Sequence, residues 1–150
     1  MEEELDRLQK QGIIKPVDFS DWAAPIVPVL KKDGSLRICG DYKLTVNKAA
    51  KLETYPLPRI EDLLTSPAGG KTFTTLDLAH AYQQVELDKD SRKFVTINTH
   101  KGLFEYTRLP FGVASAPAVF QRTMENLLQG LKHICVYLDI LITGSSEKDT

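Results

Sequence analysis

Two aspartates in apolar surroundings are the residues of this sequence best suited to chemistry. Asp77 follows a strand-like run that begins at Phe73, and Asp139 stands among the apolar residues of a second run, 134–142. A carboxylate at the end of an apolar strand is costly to bury unless it pairs with a base, with backbone N–H groups or with a metal ion. Taken alone, Asp77 is also a typical helix N-cap. Two such acids on neighbouring strands would instead form a site of hard oxygen ligands, which suits Mg²⁺.

The elements that must bring these acids together follow from the apolar pattern after residue 71. The pattern predicts a strand over 72–78, a short helix over 79–84, a hairpin of strands 94–97 and 104–109, a helix over 117–128, and one or two strands over 134–143. This order of strand, helix, strand, strand, helix and strand is the ferredoxin-like βαββαβ order. The first and last strands can lie side by side in that topology, so Asp77 and Asp139 would meet.

The first seventy residues hold shorter elements, which make the predicted class α+β. Residues 2–11 predict a helix that buries Leu5 and Leu8 and ends at Gly12. Apolar runs at 27–30 and 36–39 flank an Asp-Gly turn and predict a hairpin. Pro58 suits the first turn of a helix that runs to about residue 65.

Composition limits the class of protein only loosely. The chain has 150 residues, 42% of them hydrophobic, which fits one domain or one domain with a small appendage. Its formal net charge of −1 gives no global basic signal for nucleic acid. Residues 31–59 are locally basic, with seven Lys and Arg against three Asp and Glu. This segment is compatible with phosphate contact and equally with a solvated surface.

Cysteine use and hydropathy indicate an intracellular protein. Cys39 and Cys135 lie in apolar, strand-like runs, as core cysteines of a reducing compartment do. The acidic N-terminus lacks the pattern of a signal peptide, and no stretch approaches the roughly 20 apolar residues of a membrane helix. We therefore expect no membrane partner.

Six motifs are more specific than the pattern of elements. They are GIIKP at 12–16, APIVPVLKKDG at 24–34, RICGDY at 37–42, YPLPRI at 55–60, LDL at 76–78 and LPFGVASAP at 109–117, the last followed by Phe120 and Gln121. The chain that carries them resembles the fingers and palm of a reverse transcriptase from gypsy-type long-terminal-repeat retrotransposons. The resemblance implies one reverse transcriptase domain, with a fingers-like part over 1–71 and a truncated palm-like part over 72–150.

The resemblance also implies roles for nine residues. Asp77 and Asp139 would be the catalytic, metal-binding acids. The other seven would contact the nucleotide: Lys32 and Arg37 at the triphosphate, Tyr82 under the sugar where it excludes a 2′-hydroxyl, Phe111 and Gly112 beside base and sugar, and Leu78 and Tyr137 next to the two acids. A guanidinium suits bidentate phosphate contact, so Arg37 is the better matched of the two cations.

The sequence departs from the family at the second acid. The family motif is Tyr-x-Asp-Asp, whereas this chain has Tyr137, Leu138, Asp139 and Ile140. The second aspartate is either replaced or lost by deletion of one residue. We favour the deletion, because the residues from Ile140 onward match the segment that comes after the aspartate pair in the family. The deletion removes a carboxylate and shortens a tight turn, which would flip the facing of the next strand or force a new turn.

The implied function is RNA-directed DNA polymerase activity, impaired by the lost carboxylate. Its cofactor would be Mg²⁺, with Mn²⁺ possible, and its partners an RNA or DNA template with primer, dNTPs, and the thumb and ribonuclease H of a Pol polyprotein. It would act in a cytoplasmic particle or in the nucleus. One alternative is an inactive remnant that binds nucleic acid weakly. Another is a ribonuclease H assignment that would apply only to the parent polyprotein.

Overall fold

The computed structural model describes residues 1–49, 59, 61–62 and 70–144. The helices are α1 (Glu2–Lys10), α2 (Val46–Ala49) and α3 (Ala116–Leu127), with 3₁₀ helices at Ala81–Gln84 and Arg92–Val95. The strands are β1 (Ile14–Val17), β2 (Ala24–Leu30), β3 (Leu36–Gly40), β4 (Thr72–Leu76), β5 (Thr96–Thr99), β6 (Gly102–Tyr106), β7 (Ile134–Tyr137) and β8 (Asp139–Gly144). The predicted helix that starts at Pro58 lies mostly outside the described residues. No helix within the described part of the chain combines the length and the apolar character needed to cross a bilayer.

Helix α1 confirms the prediction for the N-terminus. Leu5 and Leu8 are buried on one face, because positions three apart lie on the same side of a helix. Three glutamates occupy the first turn, where they face the positive end of the helix dipole. Gly12 follows the C-cap with a φ of 70°, a left-handed conformation that glycine adopts without steric cost.

Five strands form one sheet, in the order β1-β6-β5-β2-β3. The predicted hairpin of β2 and β3 is confirmed, with pairs from Ile26 opposite Gly40 to Leu30 opposite Leu36. Strands β2 and β5 are parallel neighbours, and the other pairs in this sheet are antiparallel. The buried core beside this sheet combines the apolar face of α1 with residues of β1, β3, β5 and β6.

A second sheet of three strands has the order β4-β8-β7. Strand β4 pairs with β8 from Thr72 opposite Gly144 to Leu76 opposite Ile140. The first and last strands of the region after residue 71 therefore lie side by side, as predicted. Strand β4 ends at Leu76, two residues earlier than predicted, so Asp77 and Leu78 lie just beyond the strand.

The order of elements after residue 71 is confirmed, but a single ferredoxin-like sheet is not. Strands β5 and β6 form the predicted hairpin, with a tighter turn at His100 and Lys101. This hairpin pairs with β1 and β2 in the five-stranded sheet rather than with β4 and β8. The reason is burial: Ile97, Phe104 and Tyr106 belong to the core that α1 covers.

The chain divides into two compact units. The first unit comprises residues 1–52 and 80–116 and contains the five-stranded sheet. The second unit comprises residues 53–79 and 117–150 and contains the three-stranded sheet and most of α3. The division of function between fingers at 1–71 and palm at 72–150 stays a prediction.

Candidate active site

The two predicted acids lie at the same end of the three-stranded sheet. Leu76 pairs with Ile140, and Asp77 and Asp139 are the residues next to this pair at the same end of the sheet. On the other side of Asp139, strand β7 ends with Tyr137, which pairs with Asp139. The ends of three adjacent strands thus carry Asp77, Asp139 and Tyr137 in a row.

Both acids are exposed to solvent. Leu78 is half-buried beside Asp77, and Tyr137 is 43% exposed. Across the residues described, no group of three or more His, Cys, Asp or Glu side chains is placed to hold a metal ion. The carboxylates at this end of the sheet are those of Asp77 and Asp139, and a Tyr-x-Asp-Asp motif would add a third.

The hairpin that carries Asp139 turns through a single residue. Tyr137 pairs with Asp139, so only Leu138 connects the two strands, and it has a φ of 61°. The shortened motif thus forms a turn of one residue, and β8 continues from it in regular pairing with β4. A leucine in the left-handed region costs about 1–2 kcal/mol, so neighbouring groups must hold this turn in place.

A residue without a predicted role makes hydrogen bonds to that turn. The side chain of Gln121, on α3, is fully buried. Its Oε1 accepts a hydrogen bond of 2.9 Å from the Leu138 N–H, and its Nε2 donates one of 2.6 Å to the Val136 carbonyl. Nε2 also donates to the Glu125 carboxylate. In the sequence, Gln121 is marked only by its place next to Phe120 in a predicted helix. The sequence does not show which backbone groups its amide contacts.

Three predicted nucleotide-binding residues form a stack in the first unit. The guanidinium carbon of Arg37 lies 4.4 Å from the centre of the Phe111 ring, a cation–π distance. On the same ring, Tyr82 packs with its centre 5.1 Å away and the planes inclined by 47°. Residues far apart in the sequence thus form one cluster, which we call the Arg37 stack: Arg37, Phe111 and Tyr82.

The Arg37 stack is partly withdrawn from water. Burial raises the pKa of the Tyr82 hydroxyl, and the nearby positive charge of Arg37 opposes that rise. Among the described residues, Nε of Arg37 is a buried nitrogen that finds no hydrogen-bond partner. A buried donor without a partner costs roughly 1–3 kcal/mol, and an anion that accepted a hydrogen bond from this N–H would remove that cost.

The turn that carries Phe111 and Gly112 is hydrogen-bonded to β3. The Gly40 N–H donates to the Phe111 carbonyl at 3.3 Å. Gly112 has a φ of 102°, and a Cβ there would collide with the Gly40 carbonyl oxygen. Asn47, which the sequence reasoning missed, donates through Nδ2 to the Gly112 carbonyl at 2.9 Å and accepts from the Ala114 N–H at 2.8 Å.

Lys32 lies apart from the Arg37 stack. It is exposed in the turn between β2 and β3, which the Lys31 N–H closes by donating to the Ser35 carbonyl at 2.8 Å. The hairpin therefore presents Lys32 at its tip and Arg37 near the start of β3.

Comparison with known proteins identifies the class to which this fold and these residues belong. The family model described as reverse transcriptase (RNA-dependent DNA polymerase) matches residues 29–150. Because the match covers most of the chain, the protein belongs to the reverse transcriptase family. The predicted family is confirmed at this level.

The similar proteins include polyproteins of retrotransposons. The chain is 34% identical over 152 residues to the retrovirus-related Pol polyprotein from transposon 297 of Drosophila melanogaster, and 38% identical over 152 residues to the transposon Tf2-3 polyprotein of Schizosaccharomyces pombe. It is also 45% identical over 148 residues to an uncharacterized protein of Caenorhabditis elegans. These matches cover 97–99% of this chain but only 11–14% of those proteins.

Solved structures confirm the fold class. The chain is similar to a foamy viral protease-reverse transcriptase in complex with double-stranded DNA, with a TM-score of 0.88 and 30% sequence identity. That match covers 98% of this chain and 26% of the viral chain. A second foamy viral structure, in complex with an RNA/DNA hybrid, matches with a TM-score of 0.82 and 30% identity over 96% of this chain and 19% of its own.

Proposed function

We propose that this chain is the fingers-and-palm part of an RNA-directed DNA polymerase from a gypsy-type retrotransposon Pol polyprotein, with reduced catalytic power of its own. Its substrates are dNTPs and a primer on an RNA or DNA template, and the thumb and ribonuclease H of the polyprotein complete it. It works inside the cell, in a cytoplasmic particle or the nucleus. The similar proteins support this proposal, because they include retrotransposon polyproteins and enzymes bound to DNA and RNA/DNA hybrids.

The observation that carries the proposal is the Arg37 stack. Arg37 has a buried Nε without a partner among the described residues, and Phe111 holds its guanidinium by a cation–π contact. A guanidinium held in this way can donate hydrogen bonds to a phosphate oxygen. Hydrogen bonds between two charged groups are short and strong. Tyr82 packs on the same ring, so a triphosphate at Arg37 has an aromatic surface beside it for a sugar.

The residues at the end of the three-stranded sheet fit a divalent cation. Mg²⁺ is commonly held by one or two carboxylates together with substrate phosphates and water, and Asp77 and Asp139 are two exposed carboxylates at adjacent strand ends. Mn²⁺ accepts the same oxygen donors. When bound, the cation would stabilise charge on the phosphate oxygens and lower the pKa of the attacking hydroxyl.

The proposed reaction is nucleotidyl transfer. The primer 3′-hydroxyl gives its proton to water, and its oxygen forms a bond to the α-phosphorus of the dNTP. The bond from that phosphorus to the bridging oxygen breaks, and pyrophosphate leaves. Arg37 and Lys32 neutralise triphosphate charge, and Tyr82 occupies the space that a 2′-hydroxyl would need. Phe111 and Gly112 shape the side of the site next to the base. Asp77 and Asp139 would hold the cation, with Leu78 and Tyr137 next to them in the chain or the hairpin.

A specific observation favours the second candidate, an inactive remnant that binds nucleic acid weakly. The single-residue turn at Leu138 carries one aspartate, Asp139, where the family motif has two, so the site has two carboxylates with Asp77 instead of three. If each cation supplies several kcal/mol of transition-state stabilisation, weaker metal binding lowers the rate by orders of magnitude. We therefore expect little or no primer extension by this chain with Mg²⁺ or Mn²⁺. Robust extension that disappears in Asp77→Asn would show that the reduced donor set suffices.

Binding of dGTP, measured by calorimetry with Mg²⁺ present, tests the nucleotide site independently of turnover. Arg37→Met keeps an unbranched apolar stem but removes the guanidinium and its charge. Since charge-assisted hydrogen bonds are worth about 1.5–3 kcal/mol, we expect affinity to fall by roughly 10-fold to 150-fold.

Lys93→Met is the matched control for this measurement. Lys93 belongs to the same unit and also lies over an aromatic ring, with Nζ 5.1 Å from the centre of Phe94, but it is not part of the Arg37 stack. Its removal should leave dGTP affinity unchanged. Equal losses in both variants would mean that the chain attracts dGTP only by general charge, and the proposed site would be wrong.

A further inference from the structure

Gln121 connects α3 to the backbone on both sides of the turn that carries Asp139. Its oxygen accepts from the Leu138 N–H at 2.9 Å, and its nitrogen donates to the Val136 carbonyl at 2.6 Å. Leu138 is the residue in the left-handed conformation, and Val136 lies opposite Ile140 in the hairpin. One side chain thus holds both the strained residue and the strand that precedes it.

The environment of Gln121 makes these hydrogen bonds strong determinants of geometry. The residue is completely buried, and a buried amide that lost its partners would bear the full cost of desolvation. Its Nε2 also donates to the Glu125 carboxylate at 2.9 Å, which restricts rotation of the amide. The amide therefore has one orientation in which all its hydrogen bonds are made, and that orientation fixes the turn.

Leu138 alone connects Tyr137 to Asp139. Because this single residue, at a φ of 61°, separates them, a small rotation at Leu138 changes the direction of the Asp139 side chain. Asp77 lies beyond the last pair of β4 with β8, and its backbone does not depend on that turn. Movement at Leu138 would consequently shift one carboxylate and leave the other in place.

We propose that Gln121 is a positioning residue for Asp139. It holds the single-residue turn and thereby directs the Asp139 carboxylate toward the cation that, under the proposed function, it shares with Asp77. Gln121 does not touch the cation itself. In a hairpin of this length it supplies the support that a longer turn would obtain from its own hydrogen bonds.

Two NMR measurements on the 150-residue chain test this inference. The first is hydrogen exchange of the Leu138 amide, which reports the hydrogen bond to Gln121 without any metal. The second is a titration with Mn²⁺ alone, followed by paramagnetic broadening of the signals of residues 77 and 139. Gln121→Met keeps the approximate shape of the side chain and removes its hydrogen bonds to Leu138, Val136 and Glu125.

In Gln121→Met we expect Leu138 exchange to accelerate at least tenfold and Mn²⁺ affinity to fall about tenfold, with broadening lost at residue 139 before residue 77. The matched control is Thr123→Val on the same helix, which removes only the hydrogen bond of 2.8 Å from the Thr123 hydroxyl to the Val119 carbonyl. It should leave both measurements unchanged. A general loss of helix stability would affect both variants alike.

The two measurements separate failure of this inference from failure of the proposed function. No Mn²⁺ broadening in the unmodified chain would refute the proposed cation site, and exchange at Leu138 would still decide the role of Gln121. Unchanged exchange in Gln121→Met, or accelerated exchange with equal Mn²⁺ affinity, would overturn the inference. If Gln121→Met does not fold, Gln121→Glu is the second variant, because it keeps an acceptor for the Leu138 N–H and loses the donor to the Val136 carbonyl. Mn²⁺ affinity equal to that of the unmodified chain in Gln121→Glu would refute the positioning role of Gln121.

Discussion

Gly112 is the residue at which the turn after Leu109 meets strand β3. Its φ of 102° is unfavourable for any side chain, and a Cβ would collide with the Gly40 carbonyl oxygen. Gly40 itself has no room for a side chain, because a Cβ there would meet the ring of Tyr42. The position of Phe111, and with it the Arg37 stack, therefore depends on two glycines packed against a buried tyrosine.

We expect Gly112→Ala to destabilise the chain by roughly 3 kcal/mol or more, which adds the conformational cost of the left-handed region to that of a steric clash. Gly34→Ala is the matched control, since Gly34 has a φ of 83° but open space around its Cα. Gly34→Ala should lower the free energy of unfolding by only about 1–2 kcal/mol. Urea denaturation measures the free energy of unfolding of both variants. Equal decreases would mean that the close approach of Gly112 to Gly40 does not contribute to the destabilisation.

The backbone of Leu138 is also strained, because its φ is 61°. Substitution by isoleucine, an isomer of leucine, tests that strain. Leu138→Ile changes no atom count, but a β-branched side chain is a genuine outlier at positive φ. We expect Leu138→Ile to lower the free energy of unfolding by about 1 kcal/mol, which a lower midpoint of thermal unfolding would show. Leu127→Ile, at a solvent-exposed position of α3, is the control and should lose only a few tenths of a kcal/mol. Equal stability of Leu138→Ile and the unmodified chain would contradict a left-handed conformation at residue 138.

At the scale of elements, the hairpin of β7 and β8 limits the chemistry of the second unit. Hairpins usually need two residues in the turn, and this one has Leu138 alone between paired residues. The pairing of β8 with β4 is regular from Leu76 opposite Ile140 onward. The irregularity is therefore confined to the one turn, and repair of that turn need not disturb the sheet.

Insertion of one aspartate after Asp139 should repair it. The turn would then hold two residues, Ile140 would keep its partner Leu76, and the strand ends would carry three carboxylates. We expect Mn²⁺ affinity to rise at least tenfold, measured by the same broadening titration, because an added carboxylate strengthens a hard-cation site. An inserted asparagine controls for turn length alone. If the asparagine gives the same gain, the missing carboxylate is not the main defect.

At the scale of the whole molecule, buried tyrosines of the first unit make stability depend on alkaline pH. Tyr42 is fully buried and donates its hydroxyl to the Val95 carbonyl at 3.2 Å. Burial raises the pKa of both Tyr42 and Tyr106 far above the ordinary value of 10. The folded chain therefore keeps protons that the unfolded chain releases above about pH 10.

We expect the free energy of unfolding to fall as pH rises above 10, by about 1.4 kcal/mol per pH unit for each such tyrosine. Below pH 10 both states keep these protons, so these groups cause no change there. Tyr42→Phe should reduce the slope by one such contribution, as urea denaturation between pH 9 and about 11 would show. An unchanged slope would mean that Tyr42 ionises in the folded state as easily as in the unfolded state.

The sequence by itself determined the local elements and the identity of the chemical groups. Helix α1, the hairpin of β2 and β3, and helix α3 follow from apolar spacing and turn residues, which act over a few neighbouring positions. Asp77 and Asp139 were identifiable because acids at the ends of apolar strands need a reason to be there. The family motifs then indicated which residues would contact a nucleotide.

Only the tertiary structure decided which strands share a sheet and which side chains meet. The hairpin of β5 and β6 follows the same local pattern whichever sheet it joins, and burial of Phe104 and Tyr106 beneath α1 places it with β1 and β2. Likewise, the hydrogen bonds of Gln121 to Leu138 and the packing of Phe111 between Arg37 and Tyr82 join residues far apart in the chain. Such contacts depend on the whole fold, because no local preference of these residues specifies their partners.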